Sequence, residues 1–175
     1  NIVLEIKRKT LEKPEIYFGL ETEVCISEQM PVGESTGVDV PGQLWKRYHM
    51  EKASIAANLN TTVEMGMSHA EGTAQNLFTY FAGGLVQNIP DRLQDGFVKR
   101  ELSAGEYIVC RVEAENFEDL VTVALDQASK YLFGIWLPRH NLTTEPFSAE
   151  KYYRDSEGMA CMEIWVKPLP LENKC

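Results

Sequence analysis

Glu150 and Tyr152 are the side chains of this sequence best spaced to do chemistry together. Residues two apart in a strand share one side of a sheet, so a strand here sets a carboxylate beside a phenol. A carboxylate among aromatic rings can neutralise a bound cation, or stay protonated where the surroundings are dry. From composition alone the plainer reading of Glu150 is an exposed glutamate at a strand edge. Glu163 poses the same question, since it shares a strand face with Cys161 and Trp165, opposite Met162, Ile164 and Val166.

Rings gather near strand ends and on helix faces: Trp45 and Tyr48, then Tyr80 and Phe81, Tyr107, Trp136, Tyr152 and Tyr153, and Trp165. Such rings bring apolar area, a polar tip in Tyr and Trp, and faces that attract cations. Phe78, Phe133 and Phe147 read as core. Trp136 lies between Gly134, read as a helix end, and Pro138, in a connection outside any periodic stripe, so it reads as a pocket residue. Other catalytic patterns are missing: no GxSxG elbow, P-loop or GxGxxG occurs. Gly83-Gly84 reads as a bulge or close backbone approach. An enzyme built on this chain would have to use an isolated glutamate or tyrosine, Glu150 first.

The remaining composition narrows the function classes. The four cysteines (Cys25, Cys110, Cys161, Cys175) and three histidines (His49, His69, His140) show no metal-ligand spacing, so no metal is expected. A net charge of −9 argues against nucleic acid, whose phosphates require a basic footprint, and favours cations weakly at long range. No apolar run reaches the roughly 20 residues of a membrane span. The N-terminus lacks a signal-peptide pattern, so a cytoplasmic location is expected and the two Asn-x-Thr triplets at Asn60 and Asn141 carry no weight.

The elements that position these residues follow from periodicity. A chain of 175 residues suits a single domain over 1–175, with pseudo-repeat halves about 1–88 and 95–170. Alternation predicts strands over 2–9, 15–26, 61–68, 76–86, 97–102, 106–113, 150–154 and 159–167. Loops are expected at 31–42 and 138–148, and turns at 69–72, 103–105 and 155–158. One helix opens near Asp39 or Val40, with Pro41 in its first turn and Leu44, Trp45 and Tyr48 on one face. A second is capped by Asn116, runs on the stripe Leu120, Val123, Ala124, Ala128 and Tyr131, and stops at Gly134. Two helices cannot cover both faces of eight strands, so the concave remainder is expected to form a cleft between the halves.

The order of segments resembles the GyrI-like (gyrase-inhibitor-like) effector-binding domain family. The residues that carry the likeness are Leu44-Trp45, Phe78-Thr79-Tyr80-Phe81-Ala82-Gly83-Gly84, Leu102 to Val109, Trp136-Leu137-Pro138, Phe147 to Tyr152 and Met162 to Pro168. The resemblance implies an α+β fold: a tandem pseudo-repeat of strand-helix-strand-strand units forming a curved antiparallel, barrel-like sheet, two main helices and a central pocket. It implies that Glu150, Trp136 and Tyr80 serve the pocket, with Trp45, Tyr48, Tyr152, Tyr107 and Glu163 as further candidate lining. The partner it implies is a small, amphiphilic, cationic drug or dye, held without a cofactor. Residues 2–9 read as a strand rather than a helix-turn-helix, so DNA binding by this chain is not expected. Hydrolysis of electrophilic natural products at Glu150, and a protein-interaction role such as shielding gyrase, stand as alternatives. A homodimer remains open.

Overall fold

Two short connections dictate the shape of this molecule. The computed structural model describes residues 3–25, 40–70, 77–153 and 160–171. Eight strands form one sheet: β1 (Val3–Leu11), β2 (Glu15–Cys25), β3 (Leu59–His69), β4 (Leu77–Val86), β5 (Val98–Leu102), β6 (Gly105–Ala114), β7 (Leu142–Tyr153) and β8 (Ala160–Pro170). Their spatial order is β1-β6-β8-β7-β3-β4-β2-β5, and all neighbours are antiparallel.

In a flat sheet β5 and β6 would lie about 29 Å apart, at roughly 4.8 Å per strand. Yet Ser103 and Ala104 alone join them, a reach of about 10 Å. Residues 12–14 likewise tie edge strand β1 to β2, near the opposite edge. The sheet must therefore curl until its edges approach, although no ladder joins β1 to β5.

Curling gives the two faces different work. Tyr17, Met65, Met67, Phe81, Leu102, Tyr107, Val109, Phe147, Ala149 and Trp165 point inward from seven strands and fill the hollow. The concave side expected to hold a cleft is thus packed with side chains, and the open ground lies outside. On the outer face, α1 (Val40–Glu51) packs Leu44 and Tyr48 onto Leu20, Val24, Tyr80 and Ala82 of β2 and β4. A 3-10 turn (Lys52–Asn58) leads from it into β3. The second helical run, α2 (117–139), covers β6 and β8 with Leu120, Ala124, Ala128, Leu132 and Leu137.

The sequence places the end of α2 too early. Helix continues beyond Gly134 to Leu137–Arg139, because a π-turn at Leu132–Trp136 widens the repeat. Buried positions step by four from Leu120 to Leu132 and by five to Leu137, which keeps Leu137 on the packed face. Its start is as expected: the Asn116 side chain accepts from the Asp119 amide at 2.8 Å. The loop expected over 138–148 is mostly strand. Asn141 (φ 56°) turns the chain, and β7 begins at Leu142 with a bulge between Thr144 and Ser148. The turn at 155–158, residues 31–39 of the expected loop at 31–42 and residues 71 and 72 of the turn at 69–72 lie outside the described residues.

No helix among the described residues is long and apolar enough to cross a membrane. None of their His, Cys, Asp or Glu form a group of three that could hold a metal ion. Burial pushes the Cys110 thiol up to about 12, which keeps it protonated and unreactive.

Gly19 marks a tight point of the curl, opposite Gly83. A Cβ there would strike the Ala82 carbonyl oxygen, which is backbone and cannot yield. Gly19→Ala is expected to cost about 3 kcal/mol by overpacking. Gly134→Ala, with nothing within 4 Å of the new methyl, is expected to gain about 0.5 kcal/mol of helix stability. Urea unfolding midpoints of the two variants check both signs.

Candidate ligand cleft

The cleft forms where neither helix reaches. β3 and β7 run side by side at the centre of the sheet, with Ser68 opposite Ser148, Gly66 opposite Glu150 and Glu64 opposite Tyr152. Tyr80 joins from β4, opposite Ser68. Side-chain alternation puts all of these on the outer face, between α1 and α2.

Trp45 of α1 spans the middle of this strip. Its Nε1 donates to the Tyr80 hydroxyl at 2.9 Å. Its ring meets Tyr152 edge-on at 5.8 Å and leans on His49 at 5.5 Å. Gly66 makes room for this arrangement: a Cβ there would strike the Tyr80 hydroxyl and lie 3.6 Å from the Trp45 ring. A lone glycine inside a strand is the sequence signal of such an approach. Phe117, at the start of α2, reaches Tyr152 from the other side at 6.3 Å.

Two carboxylates lie in the strip, in different states. Glu64 is buried and held by His49 Nε2 at 2.9 Å, with Lys52 Nζ at 3.9 Å. The His49 imidazole and the Lys52 ammonium thus already face it. Glu150 is half-buried and accepts from the Tyr152 hydroxyl at 2.7 Å. Burial raises its pKa above the ordinary carboxylate value, and the Tyr152 hydrogen bond opposes that rise. Tyr152 is pushed well up by burial first and the Glu150 charge second, so it stays a donor.

One row beyond Glu150 the strip opens into a cavity of about 280 Å³. Ser68, Ser148, Phe78 and Phe133 line it, with His69 and Phe147 at the strand ends. Phe133, expected in the core, is 43% exposed here, one position past the buried Leu132. A larger depression, about 360 Å³, lies at Ser54, Asn58, Arg92 and Asp95, but no aromatic ring lines it.

The structure gathers Glu150, Tyr152, Tyr80 and Trp45 into the cleft. Tyr48 lies under α1, fully buried, and meets Trp45 edge-on at 5.8 Å. Trp136 is helical and stacks on His140 at 3.9 Å instead of facing Glu150. It flanks the apolar cluster under α2. Tyr107 and Glu163 are on the inner face, separated from Glu150 by the sheet itself. Odd positions of β6 and β8 point inward, where Tyr107 packs on Trp165 at 5.2 Å and Glu163 accepts from Tyr153 at 2.6 Å.

A profile described as the GyrI-like small molecule binding domain matches residues 8–167. The chain belongs to that family. Solved structures similar to this GyrI-like domain include an integron cassette protein from the mobile metagenome of Vibrio cholerae, at 14% identity and a TM-score of 0.69 over 97% of this chain and 99% of that one. A second is SAV2435 bound to tetraphenylphosphonium, at 16% identity and a TM-score of 0.66 over 96% of each chain. A third is the EcmrR C-terminal domain, at 14% identity and a TM-score of 0.51 over 97% of this chain and 98% of that one. At such identities these likenesses establish the fold. Among curated proteins none matches the sequence significantly.

Burial that favours the protonated form of Glu150 has a stability consequence with a definite sign. Its folded-state pKa lies above the unfolded one, so its contribution is present at low pH and lost as pH rises through the folded value. At pH 7 the ionised carboxylate is a cost, and Glu150→Gln is expected to raise Tm by about 3 °C. Thermal scans should show that gain shrinking as the solution is acidified and wild-type Glu150 takes up its proton.

Proposed function

We propose that this GyrI-like domain binds a lipophilic cation in the outer cleft, with Glu150 as counter-charge and Trp45, Tyr80 and Tyr152 as aromatic walls. The observation that carries the reading is a half-buried carboxylate pushed toward neutrality by burial, among three rings and one row from an apolar cavity. The cavity between Phe78 and Phe133 takes the apolar body of the ligand, and the charge rests against Glu150 and the ring faces. A cation supported by one carboxylate and ring faces needs few hydrogen bonds of its own, which favours phosphonium and quaternary centres over ammonium groups. SAV2435, which shares the fold, was solved bound to tetraphenylphosphonium, a cation of this class.

Trp45 fills the row above Gly66, so a ligand larger than the cavity displaces it and alters indole fluorescence. Titration calorimetry with methyltriphenylphosphonium is expected to give a Kd on the order of 1 μM, about −8 kcal/mol. The neutral, similarly shaped triphenylphosphine oxide is expected to bind more weakly. Glu150→Gln should weaken the phosphonium about tenfold or more and leave the oxide within about twofold. Equal losses for both ligands would remove Glu150 as counter-charge.

The pH dependence follows in sign. A cation prefers ionised Glu150, so its affinity falls as pH drops through the raised pKa, while that of the oxide stays level. Phe133→Ala, which opens the cavity wall, should weaken both ligands alike.

A further inference from the structure

Strand β7 is bonded as firmly on its inner face as on its outer one. Lys151 and Tyr153 alternate with Glu150 and Tyr152, so they point into the hollow of the sheet. Lys151 is 3% exposed, donates to Glu15 Oε1 at 2.6 Å and lies 3.8 Å from the centre of the Trp165 ring. Tyr17 donates to the same Glu15 oxygen at 2.9 Å. The Tyr153 hydroxyl donates to Glu163 Oε1 at 2.6 Å, and Trp165 Nε1 donates to that oxygen at 3.2 Å. Lys151 and Glu163 are themselves directly opposite across β7 and β8.

Glu15 belongs to β2, three strands away from β7 in the sheet order. That is roughly 14 Å in a flat sheet, beyond what two side chains standing off its surface can bridge. The ion pair is thus a chord across the curl. A buried pair of this kind seldom adds net stability over apolar residues of the same shape, and its best-attested use is to fix register. Here register decides the chemistry. A slip of one residue in β7 would turn Lys151 into the cleft and send Glu150 inside. Lys151 finds Glu15 and Trp165 only in the phase that presents Glu150 and Tyr152 outward.

We propose that Lys151 and Glu15, supported by Tyr153 and Glu163, are positioning residues of the cleft, setting the carboxylate of Glu150 from the opposite face of the sheet. This rests on the reading of the cleft as a cation site, and it names the residues that hold its counter-charge in place.

The test uses the full chain and the variants Glu15→Gln, Lys151→Met and Tyr153→Phe. In ligand-free protein, the Glu150 carboxyl titration is followed by carbon-13 NMR. Loosening β7 is expected to admit water and move the midpoint down toward that of an ordinary glutamate, most in Glu15→Gln and Lys151→Met. The phosphonium affinity should fall about tenfold while that of triphenylphosphine oxide stays within about twofold. Should Lys151→Met fail to fold, Glu15→Gln and Tyr153→Phe decide, since each keeps the size and shape of its side chain. Folded variants whose Glu150 titration and cation preference match the wild type overturn the proposal, even where Tm drops. Wild-type protein that binds neither compound would instead sink the cation-site reading, and the ligand-free titration would still decide this one.

Discussion

The connections Glu12-Lys13-Pro14 and Ser103-Ala104 are the constraint on which the rest depends. Each is too short to join distant edges of a flat sheet, so together they roll eight strands into a near-barrel whose hollow is about one side chain deep. Once rolled, the sheet has an inner face with room only for its own residues. Trp165, Tyr17 and Tyr107 fill it. Helices can pack only outside, and each covers one half. The strip between them, over β3 and β7, is what remains for a ligand.

Much of this was legible in the sequence, for physical reasons that differ from element to element. Alternation or runs of β-branched and aromatic residues mark each strand, and Asn116 with Glu118 and Asp119 announces the start of α2. The end of α2 was hidden because Gly134 is a common stop signal, whereas the five-residue step from Leu132 to Leu137 has no signature in a 3.6-residue pattern. Strand β7 was shortened at its start because Pro146 and the bulge between Thr144 and Ser148 break the alternation.

The cleft was half legible. Glu150, Tyr152, Tyr80 and Trp45 come together, but Tyr107 and Glu163 lie on the other side of the sheet. Alternation fixes which residues within a strand share a face, and nothing local says which face of β6 or β8 corresponds to which face of β7. That phase depends on cross-strand register, a long-range property. Phe133 is exposed rather than core, and Trp136 stacks on His140, neither of which a local apolar pattern foretells. Gly66 was the overlooked local clue.

The two carboxylates of the cleft differ in what answers their charge, and the proposed cation site turns on that difference. Glu64 is the more buried, but His49 and Lys52 answer its charge, so an incoming cation would have to displace them. Glu150 has a phenol for its partner, a neutral donor that stabilises its anion without cancelling it. Burial then leaves the anion costly in the empty cleft, and a cation entering beside it relieves that cost as well as adding its own attraction. An exposed ion pair, worth about 0–1 kcal/mol, has no such reserve to release. The Tyr152 hydroxyl sets the balance. With no hydrogen bond Glu150 would hold its proton more tightly and present less charge, and with a charged partner it would resemble Glu64. A neutral donor on the same strand face, two residues away, lies between those limits, and β7 supplies it only in the register that Lys151 marks from within.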